Sequence, residues 1–252
     1  MKSIIRGLGF MILTAALSTG LAAEITSAAR YDQAIQAKVM QKLAEKSEFG
    51  KVQASTEDGI VTLTGSVDLY QQKLDAAKKI RRTADLQGVR NLISVDGKSV
   101  PDAELDAQLD RKLYYDRVGY DVAFNYITAS VENGTVTLSG AARTNVARDS
   151  AVALTNRTPG VRDVVDEIKI SPTSGFDDQV RFRTLRAVYR DPVLQKYAID
   201  PARPIRILVF NGHVTLEGTV ANQMDKTVAG LRANQVFGAF SVTNNLEVAG
   251  KS

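Results

Sequence analysis

The sequence predicts an α+β protein built from three tandem copies of one small unit with the element order α-β-β-α-β. Three observations predict this fold: a repeated turn-and-strand motif, alternating apolar residues on both sides of the turn, and amphipathic stretches around each hairpin. The motif occurs as DGIVTLTG at 58–65, NGTVTLSG at 133–140 and NGHVTLEG at 211–218. Such recurrence indicates a copied structural unit. We therefore expect three domains, each a three-stranded sheet covered by two helices.

The first 23 residues predict a cleavable secretory signal peptide. Lys2 and Arg6 precede an apolar run, and STGLAAE offers small residues for cleavage after Ala22 or Ala23. The alternative, a membrane anchor, needs about 20 continuous apolar residues, and polar residues interrupt this run. We expect an exported mature chain without a transmembrane segment, with 30 basic and 28 acidic residues. This near balance argues against a nucleic-acid partner.

Aligning the copies on the motif gives repeat spacings of 75 and 78 residues. Six structural turn glycines fall into two columns: Gly59, Gly134 and Gly212, and Gly65, Gly140 and Gly218. On this alignment the first copy carries three extra residues before Gly88 and has a shortened last strand. The predicted domains are 31–97, 104–171 and 177–250. Short linkers that contain Pro, Gly and Ser, at 96–104 and 171–178, predict hinges of short reach.

Each hairpin has one apolar face. In copy one, Val52 and Ala54 alternate with polar residues before the Asp58-Gly59 turn, and Val61 and Leu63 alternate after it. An Asp-Gly or Asn-Gly pair between two such runs is the strongest short hairpin signal, because both turn residues need positive φ. The apolar face must be covered by helices.

The second helices are expected to cover the sheet through apolar stripes with helical spacing. The predicted stripes are Leu74, Ala77, Ile80 and Ala84 in copy one, and Met224, Val228 and Leu231 in copy three. A glycine is expected to end each of these helices: Gly88, Gly160 and Gly238.

A unit of this order, with [DN]-G-x-V-T-L-x-G at the hairpin and TPGVRDVVDEIKI at 158–170, resembles the BON domain of bacterial envelope proteins. The resemblance covers almost the whole predicted mature chain, and it is more specific for fold than for function. BON domains of periplasmic proteins and outer-membrane lipoproteins are associated with binding phospholipid surfaces and with osmotic or envelope stress. This chain has no cysteine, which a lipoprotein needs, so it looks more like the osmotically inducible periplasmic proteins.

The resemblance implies a non-enzymatic periplasmic stress protein whose tandem domains bind anionic phospholipid surfaces. The alternative is a periplasmic protein-interaction or chaperone-like scaffold that binds envelope proteins and no lipid.

A basic face on the second helix of copy one is the candidate lipid-binding site. It comprises Lys73, Lys78, Lys79, Arg81 and Arg82. Near an anionic membrane each basic side chain contributes about 1 kcal/mol. The other interpretation is a solvated helix face on which Asp75 pairs with Lys79 at i, i+4.

A second basic segment lies in copy three, where arginines alternate with aromatic residues. The members are Arg181, Arg183, Arg186, Arg190, Arg203 and Arg206, with Phe182, Tyr189 and Tyr197 among them. This mixture suits a membrane headgroup boundary. Aromatic residues at this spacing are more often core residues, and arginines often cover apolar surface.

Composition leaves little basis for catalysis or metal binding. There is no cysteine, and the one histidine, His213, follows a turn. An acidic run lacks the glycine and final glutamate of a calcium loop and favours a helix start after Pro101: Asp102, Glu104, Asp106 and Asp110. We expect no enzyme activity, no cofactor and no metal.

Overall fold

The computed structural model describes residues 18–83, 85–117, 122–200 and 202–250, with side chains described from Arg30 onward. Residues 1–17 of the predicted signal peptide lie outside the described residues. The chain forms two compact units. Among the described residues, one unit comprises those up to Val67 with Gln72–Ser94, and the other comprises Asp68–Gln71 with those from Val95 onward.

Each of the three repeats has the predicted element order, and we call them domains 1, 2 and 3. Domain 1 contains α1 (Ser18–Ala44), β1 (Val52–Glu57), β2 (Ile60–Val67), α2 (Tyr70–Ile80), β3 (Gly88–Asn91) and β4 (Ser94–Val95). Domain 2 contains α3 (Asp102–Tyr115), β5 (Tyr126–Glu132), β6 (Thr135–Ala142), α4 (Asn145–Asn156), β7 (Asp163–Asp166) and β8 (Lys169–Ile170). Domain 3 contains α5 (Gly175–Tyr189), β9 (Ile205–Phe210), β10 (His213–Val220), α6 (Gln223–Asn234), β11 (Ser241–Asn244) and β12 (Glu247–Val248).

In every sheet the second hairpin strand is central. It pairs antiparallel with the first hairpin strand and parallel with the last strand. The inward residues of the hairpins form the cores; Val61 and Leu63 in domain 1 and Ile205 and Ile207 in domain 3 are fully buried. The α+β prediction of three tandem repeats is confirmed.

The last strand of each domain is interrupted, so two short segments pair with one central strand. In domain 3, β11 pairs with the first half of β10 and β12 with its end. Between them the Asn244 side-chain oxygen accepts a hydrogen bond from the Leu246 backbone N–H at 3.3 Å, and Leu246 is fully buried. The same turn occurs at Asn91–Ile93 and Asp166–Ile168. The interruption inserts one apolar side chain into each core.

Domain 1 closes like the other two domains, and the predicted insertion before Gly88 is wrong. Gly88 is the first residue of β3 and pairs with Ile60, so it does not end the second helix. Gly160 and Gly238 both have φ 96°, and their position is filled in domain 1 by Asp85 at φ 69°. All three lie 26 residues after the turn glycine. Aspartate is among the few non-glycine residues that tolerate this conformation. The alignment had matched Gly88, and not Asp85, with these two glycines, and it therefore implied an insertion and a shortened last strand.

An aspartate on the first helix binds the hairpin turn in every domain. The buried Asp177 carboxylate accepts hydrogen bonds from the backbone N–H groups of Asn211 and Gly212 at 2.9 and 2.8 Å. Asp102 binds the second hairpin turn at 2.6 and 3.0 Å, and Asp32 binds the first at 3.0 and 2.9 Å. Each carboxylate satisfies two turn donors. These contacts tie the helix to the sheet.

The two glycine columns have positive φ for two different reasons. The turn glycines have φ between 73° and 78° and follow residues at 51° or 52°, which is the type I′ geometry. The other column lies within the central strand, where φ is 94° to 106°. A Cβ on Gly140 would lie 2.1 Å from the Tyr126 carbonyl oxygen of the neighbouring strand. A side chain at this position would therefore push the hairpin strands apart.

The second helix of domain 3 packs mainly through small side chains, with one residue of the predicted stripe. Ala229 and Ala233 are fully buried, whereas Met224 is 62% and Leu231 is 57% exposed. Val228 is half-buried. Val228 packs against the core as predicted. The prediction is wrong for Met224 and Leu231, because the helix approaches the sheet mainly with its small-residue face.

In domain 1 the predicted stripe is buried only in part. Ala77 and Ile80 are buried, and Leu74 is 37% exposed. Ala84 lies outside the described residues.

Domains 2 and 3 pack against each other within one unit. Phe124, from a short 3-10 helix before β5, belongs to the same buried cluster as Ile205 and Ile207 of domain 3. Arg206 of β9 is 6% exposed and donates to the Val122 carbonyl oxygen. The core of domain 3 is therefore completed by residues of domain 2.

The segment 171–178, predicted to be a hinge, is fixed between these two domains. The Ser171 hydroxyl donates to the Val209 carbonyl oxygen at 3.0 Å. Arg143 of domain 2 donates to both Asp178 carboxylate oxygens at 3.2 and 3.3 Å. These polar contacts hold α5 against domain 2.

Candidate functional site

The predicted basic face lies where α2 meets the following turn. The helix ends at Ile80, so Arg81 and Arg82 belong to the turn. The five predicted side chains differ in exposure: Lys78, Arg81 and Arg82 are exposed, and Lys73 and Lys79 are half-buried.

An open groove lies between the C-terminal ends of α1 and α2. It is lined by Lys46, Asp75, Lys78, Lys79 and Arg82. Lys73 and Arg81, predicted as members of the site, do not line it. Helix C-termini carry partial negative charge and favour nearby cations. We call this feature the domain 1 groove.

Two lysines tie the ends of these helices together. The Lys79 ammonium contacts the Glu45 carboxylate at 2.7 Å, and this hydrogen bond holds the pKa of Glu45 below its ordinary value. The Lys42 ammonium donates to the Arg82 carbonyl oxygen and to the Thr83 hydroxyl, both at 3.1 Å. Helix spacing had suggested Asp75 as the partner of Lys79. Glu45 directly follows α1, so spacing along α2 could not reveal it.

The other basic side chains in and beside the groove differ in whether they form an ion pair. Among the residues that the structure describes, Lys78, Arg81 and Arg82 form no side-chain ion pair, whereas Lys46 contacts Glu48 at 3.1 Å. Lys78 and Arg82 are therefore the groove cations available to an anion from solvent.

Domain 2 does not share the charges of the domain 1 groove. Counting from the strand glycine, the positions of Lys79 and Arg82 are occupied in domain 2 by Leu154 and Arg157. Arg157 is exposed. Domain 2 thus has one of these two charges, at the position equivalent to Arg82.

The arginines of domain 3 are divided between interior and surface. Arg181 is 2% exposed, contacts Asp178 at 2.7 Å and donates to the Val209 carbonyl oxygen at 2.6 Å. Arg206 lies in the contact with domain 2. These two arginines are structural.

The aromatic residues and the other arginines of this segment are also divided between the interior and the surface. The Tyr189 hydroxyl is buried and donates to the Ile205 carbonyl oxygen at 2.8 Å, and the Arg203 guanidinium lies 5.2 Å from the Tyr189 ring centre. Arg186 and Arg190 are exposed.

Within the described ranges, no three His, Asp or Glu side chains are placed to hold a metal ion. His213 is exposed, and its Nδ1 lies 2.8 Å from the Ser241 hydroxyl. In the same ranges, no helix has the length and apolar character needed to cross a bilayer.

The sequence matches the BON domain family model in three regions, residues 31–97, 101–172 and 190–250. These regions cover most of the chain, and the chain belongs to the BON domain family. The third match begins directly after α5.

One similar protein is described as the uncharacterized protein in the gshII 5′ region of Anaplasma centrale. It is 25% identical over 145 residues, which cover 55% of this chain and 94% of that protein.

Two solved structures from secretion systems show a remote likeness. The C-terminal domain of CdsD from Chlamydia trachomatis has 13% identity and a TM-score of 0.26, covering 83% of this chain and 94% of that one. The periplasmic domain of PrgH from S. typhimurium has 12% identity and a TM-score of 0.21, covering 83% and 99%. TM-scores this low carry no functional argument.

Proposed function

We propose that this protein is a non-enzymatic periplasmic protein of the bacterial envelope whose BON domains bind anionic phospholipid surfaces, with a role in osmotic or envelope stress. The observation that carries the proposal is the domain 1 groove. Two helix ends bring Lys46 and Lys79 together with the outward-facing Lys78 and Arg82.

The charge of this surface suits weak and reversible attachment. Each basic residue close to an anionic membrane contributes about 1 kcal/mol, and the contribution falls within a Debye length. Two to four such residues therefore predict binding that low salt favours and high salt removes. Lys79 is held by Glu45, so Lys78 and Arg82 contribute most.

The open face of the domain 1 sheet gives the scaffold alternative little support. The outward residues of its hairpin strands are polar except Ile60, which is 41% exposed; the polar ones include Gln53, Ser55 and Thr64. A sheet face that bound unfolded or partner proteins would expose apolar side chains. The basic groove is the stronger candidate surface of this domain.

Vesicle co-sedimentation tests the proposal. The protein isolated from cells that express the full chain is mixed with vesicles of phosphatidylglycerol and phosphatidylethanolamine, or of phosphatidylcholine alone, at low and high salt. We expect sedimentation only with the anionic vesicles at low salt. The double variant Lys78→Glu with Arg82→Glu should weaken binding roughly ten-fold or more, since it reverses two charges.

Arg157→Glu is the matched control, because Arg157 is exposed and occupies the position of Arg82 in domain 2. Equal losses in Arg157→Glu and in a single Arg82→Glu variant would show that net charge, and not the groove, drives binding. Failure of the unaltered protein to sediment at low salt would rule out lipid attachment. Crosslinking in the periplasm would then identify a protein partner and favour the scaffold alternative.

A further inference from the structure

Domain 3 exposes an apolar ridge along α6 and the turn that follows it. Met224 and Leu231 project from the outer face of the helix, and Phe237, three residues beyond its end, is 85% exposed. We call these three residues the domain 3 ridge. Large side chains exposed singly are ordinary, but a row of them often marks an interaction surface.

The repeat itself supplies a comparison, because the same outward positions exist in each domain. Counting from the strand glycine, Met224 and Leu231 correspond to Gln71 and Lys78 in domain 1. They correspond to Val146 and Ala153 in domain 2. The fold therefore accepts polar or small residues here, and packing does not require the ridge.

An arginine-lined groove of about 490 Å³ adjoins the ridge and includes Phe237 in its lining. Its arginines come from both helices: Arg183, Arg186 and Arg190 from α5 and its end, and Arg232 from α6. This groove and the domain 1 groove lie at the same place in the repeat, between the ends of the two helices.

Two of these arginines are already positioned by contacts with the protein. Arg232 contacts the buried Asp191 carboxylate at 2.6 Å. The Arg183 guanidinium lies 5.7 Å from the Phe237 ring centre and donates to the Phe237 carbonyl oxygen at 3.1 Å. Arg186 and Arg190 stay exposed and are free of ion pairs within the described part of the chain.

Charge and shape favour one occupant for this surface. A second copy of the chain is disfavoured, because a symmetric contact would bring the arginines of both copies together. An apolar ridge beside arginines matches the boundary between acyl chains and anionic headgroups. Guanidinium groups also bind phosphate oxygens in a bidentate manner.

We propose that the domain 3 ridge inserts into anionic phospholipid bilayers while Arg186 and Arg190 hold headgroup phosphates. This inference rests on the proposed function and assigns the apolar part of the attachment to domain 3. The domain 1 groove then supplies a purely electrostatic contact.

The chain has no tryptophan, so one introduced tryptophan is a unique fluorescent probe. Phe237→Trp is compared with Val146→Trp, whose position on α4 is 65% exposed and equivalent to Met224. With vesicles of phosphatidylglycerol and phosphatidylethanolamine, we expect a blue shift of Trp emission and quenching by brominated acyl chains for Phe237→Trp. We expect neither effect for Val146→Trp.

A double variant measures the strength of the insertion. Leu231→Ser with Phe237→Ser should weaken sedimentation at least about ten-fold, because two apolar side chains no longer leave water. Val146→Ser should leave binding unchanged. Both changes lie on exposed positions, and circular dichroism checks that the variants fold.

Three outcomes would overturn the inference. If the protein sediments with vesicles while the Phe237→Trp emission stays water-like, the ridge does not insert, although the proposed function stands. Equal blue shifts for Phe237→Trp and Val146→Trp would show contact without selectivity for domain 3. If neither the unaltered protein nor any variant sediments with the anionic vesicles, the proposed function fails together with this inference.

Discussion

At the scale of single residues, an aspartate on the first helix stabilises the hairpin turn within each domain. Asp177, Asp102 and Asp32 bind the two N–H groups of their hairpin turns. The aspartates are not at one spacing from the turns, because the segment between first helix and hairpin varies in length. Alignment on the turn motif therefore could not find them.

Replacing Asp177 by Asn tests the turn contact. An amide has one accepting oxygen, and its NH₂ group would face a second donor. We expect Asp177→Asn to lower the free energy of unfolding by about 1.5 to 3 kcal/mol, measured by denaturant titration. Asp32→Asn, at a half-buried position, should cost less. Equal costs at the two sites would show that burial does not set the strength of this contact.

A swap between Asp85 and Gly160 tests their equivalence. Asp85 occupies a left-handed conformation that glycine adopts without strain. We expect Asp85→Gly to change stability by less than about 1 kcal/mol, since relief of strain offsets the greater entropy of the unfolded chain. Gly160→Asp should be clearly destabilising, because its Cβ would lie 2.8 Å from the Val100 Cβ. Thermal unfolding of both variants measures this, and equal losses would contradict the assignment.

At the scale of elements, the second helices show that an apolar stripe does not by itself identify the buried face. In α6 the small residues Ala229 and Ala233 contact the sheet, and Gly230 lies so close that a Cβ would be 2.7 Å from the Asn244 side chain. Small residues allow close approach. Periodicity locates a helix more reliably than it identifies which face is buried.

Two substitutions on α6 distinguish its faces. Ala233→Leu should lower the free energy of unfolding by about 1 to 3 kcal/mol, because it overpacks a close helix–sheet contact. Leu231→Gln, on the exposed face, should change it by less than about 0.5 kcal/mol. Denaturant titration compares them, and the reverse order would show that the ridge is part of the core.

At the scale of the molecule, the repeats form two compact units, with domains 2 and 3 together in one of them. The outward face of β9 explains why domain 3 packs against domain 2. This face carries Arg206, Leu208 and Phe210, all buried or half-buried. The matching face of β1 carries Gln53, Ser55 and Glu57. A strand with apolar residues on both faces indicates a covering partner, and this signal was present in the sequence.

The contact between domains 2 and 3 should be sensitive to acid. The hydrogen bonds from Arg143, and then from Arg181, outweigh burial and hold the pKa of Asp178 below its ordinary value. The pKa of Asp178 is therefore lower in the folded protein than in the unfolded chain, where it is near 3.8. The contact contributes its full stabilisation when the pH is above the unfolded-state pKa, and this stabilisation is lost as the pH falls through the folded-state pKa.

We expect the melting temperature of this unit to fall below about pH 4, and Asp178→Asn to flatten that fall. Thermal unfolding across pH measures both. If the variant loses stability over the same pH range and by the same amount, other carboxylates cause the acid sensitivity.

The sequence by itself determined the repeat, the type I′ hairpins and the inward faces of the strands, because turns and a two-residue period depend on local backbone geometry. It also placed Lys78 and Arg82 on an exposed face. Only the tertiary structure decided which face of α6 is buried, that Glu45 holds Lys79, and that domain 2 completes the core of domain 3. These features depend on packing and desolvation between residues far apart in the chain. The pattern of β9 indicates that a partner covers it, but it does not identify which residues do so.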